Sequence, residues 1–509
     1  MFVPLTVNDF LKRAETVYPD RIAVIDEPEQ PANPVSPQTY RQVAAAARAQ
    51  AAALDDMGVP VGGRVAIASH NSARLLTSFY GVSGSGRVLV PINFRLTASE
   101  VEFIVEHSGA EVLLVDPELD EHLAGVTARH RLVLGESDDF LFPAGRVGAT
   151  WEGDESATAT INYTSGTTAR PKGVQLTHRN LWLNAVTLAL HATITDRDVL
   201  LHTLPMFHAN GWGTPYAVTG VGGQHIVLRK VDGAEILRRV EAHGVTLLCG
   251  APAVLAMVLQ AAATWDGPIP GRDRVRVVVA GAPPPTRTIE RIQSELGWEF
   301  IQIYGLTETS PLLTMSRQRA EWDHLDSAGR ARMLGRAGAP TLGVDLQIDP
   351  EGEILARGNV VLESYWAQPD QTDAALAGGW FHTGDGGTID DGYLSISDRK
   401  KDVIISGGEN VSSIEVEDVI LHHPNVREVA VVGIPDDAWG EAVTALIVTD
   451  GTALTAQDII THCRASLAGF KCPKHVEFRD ALPRTATGKL QKFLLRQDFW
   501  AGQDRQING

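Results

Sequence analysis

The chain has 509 residues and a formal net charge of −18, with 44 Lys and Arg against 62 Asp and Glu. A chain of this length exceeds what one hydrophobic core usually serves, so two or more domains are expected. The acidic balance repels nucleic-acid phosphates and anionic membrane surfaces at long range. A nucleic-acid-binding protein is therefore disfavoured, and any anionic ligand must be captured by local groups.

Cysteine spacing and hydropathy exclude further classes of protein. The three cysteines, Cys249, Cys463 and Cys472, show no CxxC or Cys/His spacing, so neither a disulfide framework nor a zinc site is indicated. The first residues, MFVPLTVNDFLKRAE, lack the pattern of an export signal. No uncharged apolar run approaches the roughly 18 to 20 residues that span a bilayer. We expect a cytoplasmic protein without integral membrane association.

In the first two thirds of the chain, short β-branched runs alternate with longer helical patterns. The series includes RIAVID, an Ala-rich helix over 41–57 and RVAIASH, and it recurs with IVLRK and VRVVVAGAPPP. Strands that alternate with covering helices are typical of α/β layers with largely parallel sheets. At least two such sheets are expected before residue 345. The Pro-rich segment 27–38 is expected to be a surface connection.

After about Leu342 the pattern changes to short strands and turns. DPEG and DDG separate alternating runs and predict hairpins, and so a β-rich subdomain. From Lys401 onward, helices and strands alternate over a stretch long enough for a small α+β domain. The predicted fold is α/β, with a large N-terminal domain (1–400) of stacked mixed sheets with helices plus the β-rich subdomain. A small mobile α+β domain (401–509) follows it.

The stretch YTSGTTARPKG (163–173) joins hydroxyls, glycines and cations. The hydroxyls, the backbone N–H groups around Gly166 and the Lys172 ammonium could converge on an anion. The Gly-Lys-Ser/Thr ending of a Walker A loop is absent, because Pro171 precedes Lys172 and Gly173 follows it. A P-loop NTPase is therefore disfavoured. Taken alone, the stretch is equally compatible with a polar surface turn.

Five stretches resemble, in order, the signatures of the adenylate-forming ligases, the superfamily of acyl-CoA synthetases, luciferase-like enzymes and peptide-synthetase adenylation domains. They are YTSGTTARPKG, YGLTE (304–308), HTGD (382–385), SDRKKDVIISGGEN (397–410) and PRTATGK (483–489). One match would be weak, but five in the family's order are very unlikely by chance. A looser resemblance extends over the N-terminal third. The resemblance implies ATP-dependent activation of a carboxylic acid.

The resemblance also implies a site for ATP with Mg²⁺. It assigns Glu308 to the Mg²⁺, Thr307 to a nucleotide phosphate and Tyr304 to the adenine ring. Asp385 would accept both ribose hydroxyls, since one carboxylate can take two donors, and Arg399 would reach the same sugar. The remaining residues expected at ATP are Thr164, Ser165, Gly166, Thr167, Thr168, Lys172, Gly281, Ala282 and Gly305.

Three further expectations from the resemblance concern the C-terminal domain. Lys489 would bridge the carboxylate and the α-phosphate, because the attack of one anion on another needs its developing charge neutralised. Lys401 would be the hinge about which the domain rotates between the two half-reactions. After rotation, Gly407 and Gly408 would face the pantetheine arm of CoA, since glycines let backbone pass closely.

The stretch LPMFHANGWGTPY (204–216) is expected to bind the acid. By resemblance, His208 lies beside the reacting carboxylate and opens or closes the path of the thiol, with no acid–base role implied. Trp212 and Tyr216 are candidates for the acyl pocket, although ordinary packing would explain the tryptophan equally well. The wording of the stretch is most similar to medium-chain and longer fatty-acyl-CoA synthetases.

The predicted enzyme is therefore an AMP-forming acyl-CoA synthetase acting on a medium- or long-chain fatty acid. ATP and the acid give acyl-AMP and pyrophosphate, and the thiol of CoA, a co-substrate, then displaces AMP. The expected partners are these small molecules, with a homodimer as a further possibility. Three alternatives stay open: a synthetase for an aryl or polycyclic acid, a ligase that loads a carrier protein, and a nucleotide-binding module without catalysis. Retention of Lys489, Glu308 and Asp385 argues against the last.

The chain departs from the family pattern at two glycines. Ala169 replaces a glycine of the phosphate loop, and Ser364 replaces one before Tyr365. Alanine at a positive φ costs on the order of 1 kcal/mol, whereas at a negative φ it is harmless. We expect the phosphate loop to be intact.

Overall fold

The computed structural model describes residues 1–164, 171–281, 284–399, 402–406, 409–436, 439–484 and 490–500. Its helices are α1 (Asn8–Val17), α2 (Tyr40–Asp56), α3 (Ala73–Gly81), α4 (Ala98–Ser108), α5 (Asp138–Leu141), α6 (His178–His191), α7 (Thr214–Val221), α8 (Gly233–His243), α9 (Pro252–Ala262), α10 (Thr286–Arg291), α11 (Ser327–Leu334), α12 (Pro369–Ala375), α13 (Ser413–Leu421), α14 (Ala456–Arg464) and α15 (Lys492–Trp500).

The strands of the first half are β1 (Ile22–Ile25), β2 (Gln38–Thr39), β3 (Arg64–Ala68), β4 (Val88–Ile92), β5 (Ala110–Val115), β6 (His130–Val133), β7 (Thr158–Thr164), β8 (Lys172–Thr177), β9 (Val199–His202), β10 (Gln224–Val227) and β11 (Leu247–Gly250). Those of the second half are β12 (Arg276–Val279), β13 (Glu299–Tyr304), β14 (Thr314–Ser316), β15 (Ala339–Pro340), β16 (Val344–Ile348), β17 (Glu353–Gly358), β18 (Ser364–Tyr365), β19 (Phe381–Asp390), β20 (Tyr393–Arg399), β21 (Ile404–Ser406), β22 (Glu409–Val411), β23 (Val426–Asp436), β24 (Gly440–Thr449) and β25 (His475–Phe478).

Two large mixed sheets form the body of the chain. One has the strand order β15-β14-β13-β12-β11-β9-β10-β1-β2 and is parallel from β13 to β1. The other has the order β18-β8-β7-β4-β3-β5-β6 and is parallel from β7 to β6. The interior parallel strands are apolar runs buried on both faces, as in LLCG of β11. This confirms the predicted α/β layers.

The helices begin where the sequence supplies a cap. Thr39 and Gln42 form a capping box at α2, and Thr177 and Asn180 form another at α6. Each box satisfies backbone N–H groups that the first helical turn leaves without partners. The apolar faces of these helices then pack into a core that continues between the two sheets. Among the residues that the structure describes, no helix combines the length and apolar composition that a membrane crossing needs.

A smaller antiparallel sheet follows, in the order β16-β17-β19-β20. Its two predicted hairpins are confirmed. In the first, Gly352 of DPEG has φ +85° and donates its N–H to the carbonyl of Asp349. In the second, Asp391 and Gly392 both have positive φ between β19 and β20. Glycine adopts this conformation without steric cost, which is why these sequences turn the chain here.

The C-terminal strands form a separate sheet, β22-β21-β24-β23 with β25 beside β24. They pack with α13 and α14 around a core of their own that includes Ile404, Val416 and Ile459. The preceding strand, β20, ends at Arg399 in the β-rich sheet. This mixed α and β unit agrees with the predicted fold class. The domain division at 400/401 stays a prediction, since Lys400 and Lys401 lie outside the described residues.

Candidate active site

Three residues predicted at the nucleoside lie together at the end of β13. The Tyr304 hydroxyl donates to Oδ2 of Asp385 at 2.9 Å, and each residue is 8% exposed. Asp385 lies in β19, where its register partner in β20 is Arg399. The carboxyl ends of parallel strands are the usual binding edge of an α/β sheet, and β13 delivers Tyr304 there. The fold therefore joins residues 81 positions apart in the sequence into one surface.

Glu308 is held by a tyrosine that the motif analysis did not assign to the site. The Tyr365 hydroxyl donates to Oε1 of Glu308 at 2.9 Å, and the Leu362 N–H donates to the Glu308 carbonyl at 2.7 Å. Burial, followed by the charge of Glu308, raises the pKa of Tyr365, so its hydroxyl stays protonated and donates. Tyr365 is thus a positioning residue for the carboxylate expected at Mg²⁺.

The phosphate-loop lysine reaches the same tyrosine. Lys172 Nζ lies 4.9 Å from the centre of the Tyr365 ring, a cation–π distance. Thr164 and Lys172 are register partners at the ends of β7 and β8, so the stretch 165–170 connects two paired strands. Sequence reasoning could have found Tyr365 only through its place directly after Ser364, in a strand that pairs with β8. Nothing in its immediate neighbours indicates contact with Glu308.

These residues fit MgATP. Glu308 is half-buried and oriented by Tyr365, and a carboxylate oxygen is a ligand that the hard Mg²⁺ ion prefers. No group of three or more His, Cys, Asp or Glu side chains able to hold a metal occurs within the described ranges. A single carboxylate together with substrate phosphates is, however, a common way for proteins to bind Mg²⁺. Lys172 adds positive charge over the ring of Tyr365, the residue that orients this carboxylate.

Close packing explains why a glycine, Gly305, stands in YGLTE. A Cβ at Gly305 would lie 1.5 Å from the carbonyl oxygen of Pro311, so no other residue fits this close approach. Thr307 opens the short helical turn Thr307–Thr309 that carries Glu308. Gly281 is exposed, with φ +93°. Direct contact of Gly305, Thr307, Gly281 and Thr164 with ATP stays a prediction.

Several predicted site residues lie outside the described part of the chain. They are Ser165, Gly166, Thr167, Thr168, Ala169, Ala282, Lys401, Gly407, Gly408 and Lys489. The backbone of Arg399 is described, and its side chain is not. Of the two departures from the family pattern, only Ser364 is visible: its hydroxyl donates to Oε1 of Gln175 at 2.6 Å within β18 and β8. This serine is accommodated by the extended strand.

The segment predicted to bind the acid follows β9 and contains an uncommon turn. His208 is half-buried, and its ring centre lies 6.3 Å from that of Phe207. Ala209, Asn210 and Trp212 have φ values of 35°, 46° and 56°. Positive φ is uncommon for residues other than glycine, so sequence periodicity could not predict this turn.

The two candidate acyl-pocket aromatics are buried. Trp212 is 5% exposed and Tyr216 is 0% exposed. The Tyr216 ring lies 5.7 to 6.0 Å from the rings of Phe10, Phe79 and Tyr80, counted between ring centres. Tyr216 therefore belongs to the core between the sheets. Contact of either residue with an acyl group stays a prediction.

Two histidines that the motifs did not single out lie in the neighbouring strands β9 and β10, and β9 leads into this segment. His202 Nε2 and His225 Nδ1 are 2.9 Å apart, and His225 Nε2 is 3.0 Å from the Thr219 hydroxyl. Burial lowers the pKa of His202, and it lowers that of His225 to about 3. Both rings are therefore neutral and serve as hydrogen-bonding groups of the core.

Comparison with known families identifies both parts of the chain. Residues 11–366 match the model of the AMP-binding enzyme family, and residues 415–489 match the AMP-binding enzyme C-terminal domain. Among curated relatives, the probable acyl-activating enzyme 5, peroxisomal, of Arabidopsis thaliana is 36% identical over 97% of this chain and 96% of its own. The 2-methylpropanoate–CoA ligase CCL4 of Humulus lupulus is 36% identical, over 97% of this chain and 95% of its own. The 4-hydroxybutyrate–CoA ligase 2 of Metallosphaera sedula is also 36% identical, over 99% and 96%.

Solved structures agree with this assignment. ATP-bound MatB from Rhodopseudomonas palustris superposes with a TM-score of 0.85 at 30% identity, covering 97% of this chain and 99% of that one. The anthranilate CoA ligase AuaEII, in complex with anthranoyl-AMP, gives 0.87 at 26% identity, covering 98% of both chains. The Mycobacterium tuberculosis fatty acyl CoA synthetase gives 0.74 at 32% identity, covering 98% and 99%. The chain thus belongs to the AMP-binding enzyme family of adenylate-forming ligases and is an acid–thiol ligase that makes acyl-CoA from a carboxylic acid, ATP and CoA with Mg²⁺.

Proposed function

We propose that this acyl-CoA synthetase activates a short aliphatic monocarboxylic acid. The observation that carries the proposal is the burial of the two acyl-pocket candidates: Trp212 lies in the hydrophobic core, and Tyr216 packs against the rings of Phe10 and Phe79. Protein interiors are close-packed, so a long acyl chain would have to displace these side chains. The proposed acid is shorter than the fatty acid that the wording of the stretch 204–216 favours.

The names of relatives support a short acid. Two relatives at 36% identity are named as ligases of 2-methylpropanoate and 4-hydroxybutyrate, and another, also 36% identical over 97% of this chain and 94% of its own, is the acetate/butyrate–CoA ligase AAE7 of Arabidopsis thaliana. These are short acids. The similarity to a fatty acyl CoA synthetase and to an anthranilate CoA ligase keeps longer and aryl acids as outcomes that the experiment must distinguish.

The proposed chemistry has two steps. The acid's carboxylate attacks the α-phosphate of ATP, forming a P–O bond while the bond to pyrophosphate breaks. Lys489 and Lys172 would neutralise charge on the phosphates, and Mg²⁺ bound at Glu308 would supply further positive charge. The CoA thiol then attacks the acyl carbon, loses its proton and releases AMP. Activation is needed because a carboxylate is a poor electrophile. The acyl-AMP reacts with the thiol because AMP is a good leaving group.

The residues assigned to each step remain part of this proposal. Tyr304, Asp385 and Arg399 would bind the nucleoside, and His208 would lie beside the reacting carboxyl group. Lys401 would be the hinge for rotation of the C-terminal domain, after which Gly407 and Gly408 would approach CoA. A cytoplasmic location and a homodimer likewise stay predictions, and two relatives, the probable acyl-activating enzyme 5 and the acetate/butyrate–CoA ligase AAE7, are named as peroxisomal.

An acid panel tests the proposal. AMP release would be measured with acetate, butyrate, 2-methylpropanoate, 4-hydroxybutyrate, decanoate, palmitate and anthranilate, each with and without CoA. We expect the highest kcat/KM for one of the short aliphatic acids, and AMP release that depends on CoA. Highest activity with palmitate or anthranilate would overturn the proposed acid, whereas the ligase chemistry would stand.

Two variants test whether the packing of Trp212 sets the preference for short acids. Trp212→Ala should open space and raise the relative kcat/KM for decanoate over butyrate. Trp298→Phe is the matched control, since Trp298 is a buried tryptophan in a different core and should leave the ratio unchanged. An unchanged ratio in both variants would contradict the role given to Trp212.

A further inference from the structure

One buried amide holds the backbone that leads to His208. Asn71 lies between β3 and α3 and is 6% exposed. Its Nδ2 is 2.9 Å from the carbonyl oxygen of His202 and 3.0 Å from that of Leu204. It also lies 3.2 Å from the carbonyl oxygen of Leu228, and its Oδ1 accepts the Met206 N–H at 2.8 Å. A single side chain therefore contacts both ends of the stretch 202–206.

The position of Asn71 explains why an amide stands here. β9 ends at His202 and β10 ends at Val227, so the backbone groups just beyond them have left the sheet ladder. Buried backbone N–H and C=O groups need partners. An asparagine amide offers donors and an acceptor in one plane, as a peptide group does. Asn71 thus continues the hydrogen bonding of the sheet where its strands stop.

A second observation shows that this segment is tightly constrained. The turn that follows His208 keeps Ala209, Asn210, Gly211 and Trp212 in the left-handed region. Such conformations persist outside glycine only where the surroundings determine them. At the far end, Nδ2 of Asn210 donates to Thr160 Oγ1 at 3.2 Å, in the strand that precedes the phosphate loop. His208 therefore lies between two fixed points.

We propose that Asn71 is a positioning residue that fixes the backbone of the stretch 202–206 and thereby sets where His208 lies relative to the acid. It acts through His208 and does not touch the substrate. The proposal rests on the proposed site role of His208 and goes beyond it, because it assigns the placement of that ring to a distant loop. The proposal does not depend on the charge or the identity of the acid.

Asn71→Asp is the first test. The variant keeps the Oδ1 acceptor and the shape of the side chain, and it replaces the donor with an oxygen that faces three carbonyl oxygens. We expect kcat/KM for the best acid to fall by on the order of 100-fold, the scale for a small misplacement of a reacting group. The KM for ATP should change less than about 2-fold, because the hydrogen bonds of Asn71 go to the stretch 202–206 and to Leu228 and not to residues predicted at the nucleotide. Asn71→Ser, which is uncharged, serves if the first variant folds poorly.

The matched control is Asn180→Asp. Asn180 is also 6% exposed, and its amide donates to the carbonyls of Asn359 and Val361 while Oδ1 accepts the Thr177 N–H. The two variants should lower the thermal unfolding midpoint similarly. A loss of acid kcat/KM no greater than in Asn180→Asp would show that Asn71 has only a structural role.

A double-mutant cycle with His208→Ala decides whether the effect passes through His208. If it does, Asn71→Asp should cost less than about 5-fold in the His208→Ala background, since coupled residues are not additive. Both half-reactions would be measured, as ATP–pyrophosphate exchange and as CoA transfer to supplied acyl-AMP. An undiminished loss in that background would overturn the proposal. The acid used is whichever the wild-type enzyme prefers, so failure of the short-acid proposal would leave this test intact.

Discussion

The residues predicted at the nucleotide are held by contacts between side chains, whereas the segment predicted to bind the acid is held through its backbone. Tyr304 bonds to Asp385, and Tyr365 bonds to Glu308. By contrast, Asn71 binds carbonyl and N–H groups of the segment that carries His208. Side-chain contacts need particular residues at particular positions, so the residues predicted at the nucleotide can be recognised as sequence motifs. Backbone contacts allow the side chains around them to vary, which would suit the proposed role of this segment in selecting the acid.

The largest expected effect is the loss of adenylation when Lys489 is replaced. Lys489→Ala should reduce ATP–pyrophosphate exchange by about 100- to 1,000-fold, as for other groups aimed at developing charge. CoA transfer to supplied acyl-AMP should be spared. Lys12→Ala, at an exposed site in α1, is the control. Equal loss of both half-reactions would refute the role of Lys489.

A smaller effect tests the tie between Tyr365 and Glu308. Tyr365→Phe removes one hydrogen bond to a carboxylate, and we expect adenylation to fall by about 10-fold, within the range for bonds to charged groups. Higher Mg²⁺ should partly restore the rate, because the carboxylate remains and only its orientation is loosened. Tyr80→Phe is the matched variant on the acid side, where the lost bond goes to the Pro215 carbonyl. If Mg²⁺ dependence changes in neither variant, Tyr365 does not position the metal ligand.

The buried pair His202 and His225 should make the fold less stable at low pH. Burial lowers the pKa of His225 to about 3 and lowers that of His202, so the folded chain keeps both neutral. The unfolded chain binds protons on both below pH about 6.5. Stability is therefore fully present above that pH and falls by about 1.4 kcal/mol per pH unit for each histidine below it. Denaturant unfolding between pH 7.5 and 4.5 measures this slope.

His225→Gln isolates the contribution of one ring to that slope. It should reduce the slope by about 1.4 kcal/mol per pH unit, even though the variant is less stable overall. His324→Gln, at an exposed position, is the control and should keep the wild-type slope. A wild-type slope retained in His225→Gln would mean that other groups cause the acid sensitivity.

The smallest expected effect concerns the phosphate loop. Ala169→Gly should change ATP affinity by at most several-fold, because the penalty for alanine at a positive φ is on the order of 1 kcal/mol. The KM for ATP and a direct ATP-binding titration measure it. A hundredfold rise in rate would show that the loop is impaired in the natural sequence.

The sequence was sufficient for features that depend on near neighbours. Gly352 of DPEG and Gly392 of DDG turn their hairpins by local conformational freedom, and apolar runs such as LLCG indicate buried parallel strands. The motif residues Tyr304, Glu308 and Asp385 could be named from their short surroundings. Tyr304 lies at the end of the parallel strand β13 and Asp385 lies in β19 of the antiparallel sheet, so their contact depends on how the two sheets pack.

Only the tertiary structure decided the contacts between distant positions. Tyr365 and Glu308 are 57 residues apart, and Asn71 and Leu228 are 157 apart. Neither Tyr365 nor Asn71 is distinguished by its neighbours in the chain. The left-handed turn after His208 is equally hidden, because its conformation is imposed by the surroundings against the preference of Ala209 and Trp212. Local conformational preferences depend on consecutive residues, whereas contacts between distant residues form only when the sheets pack together.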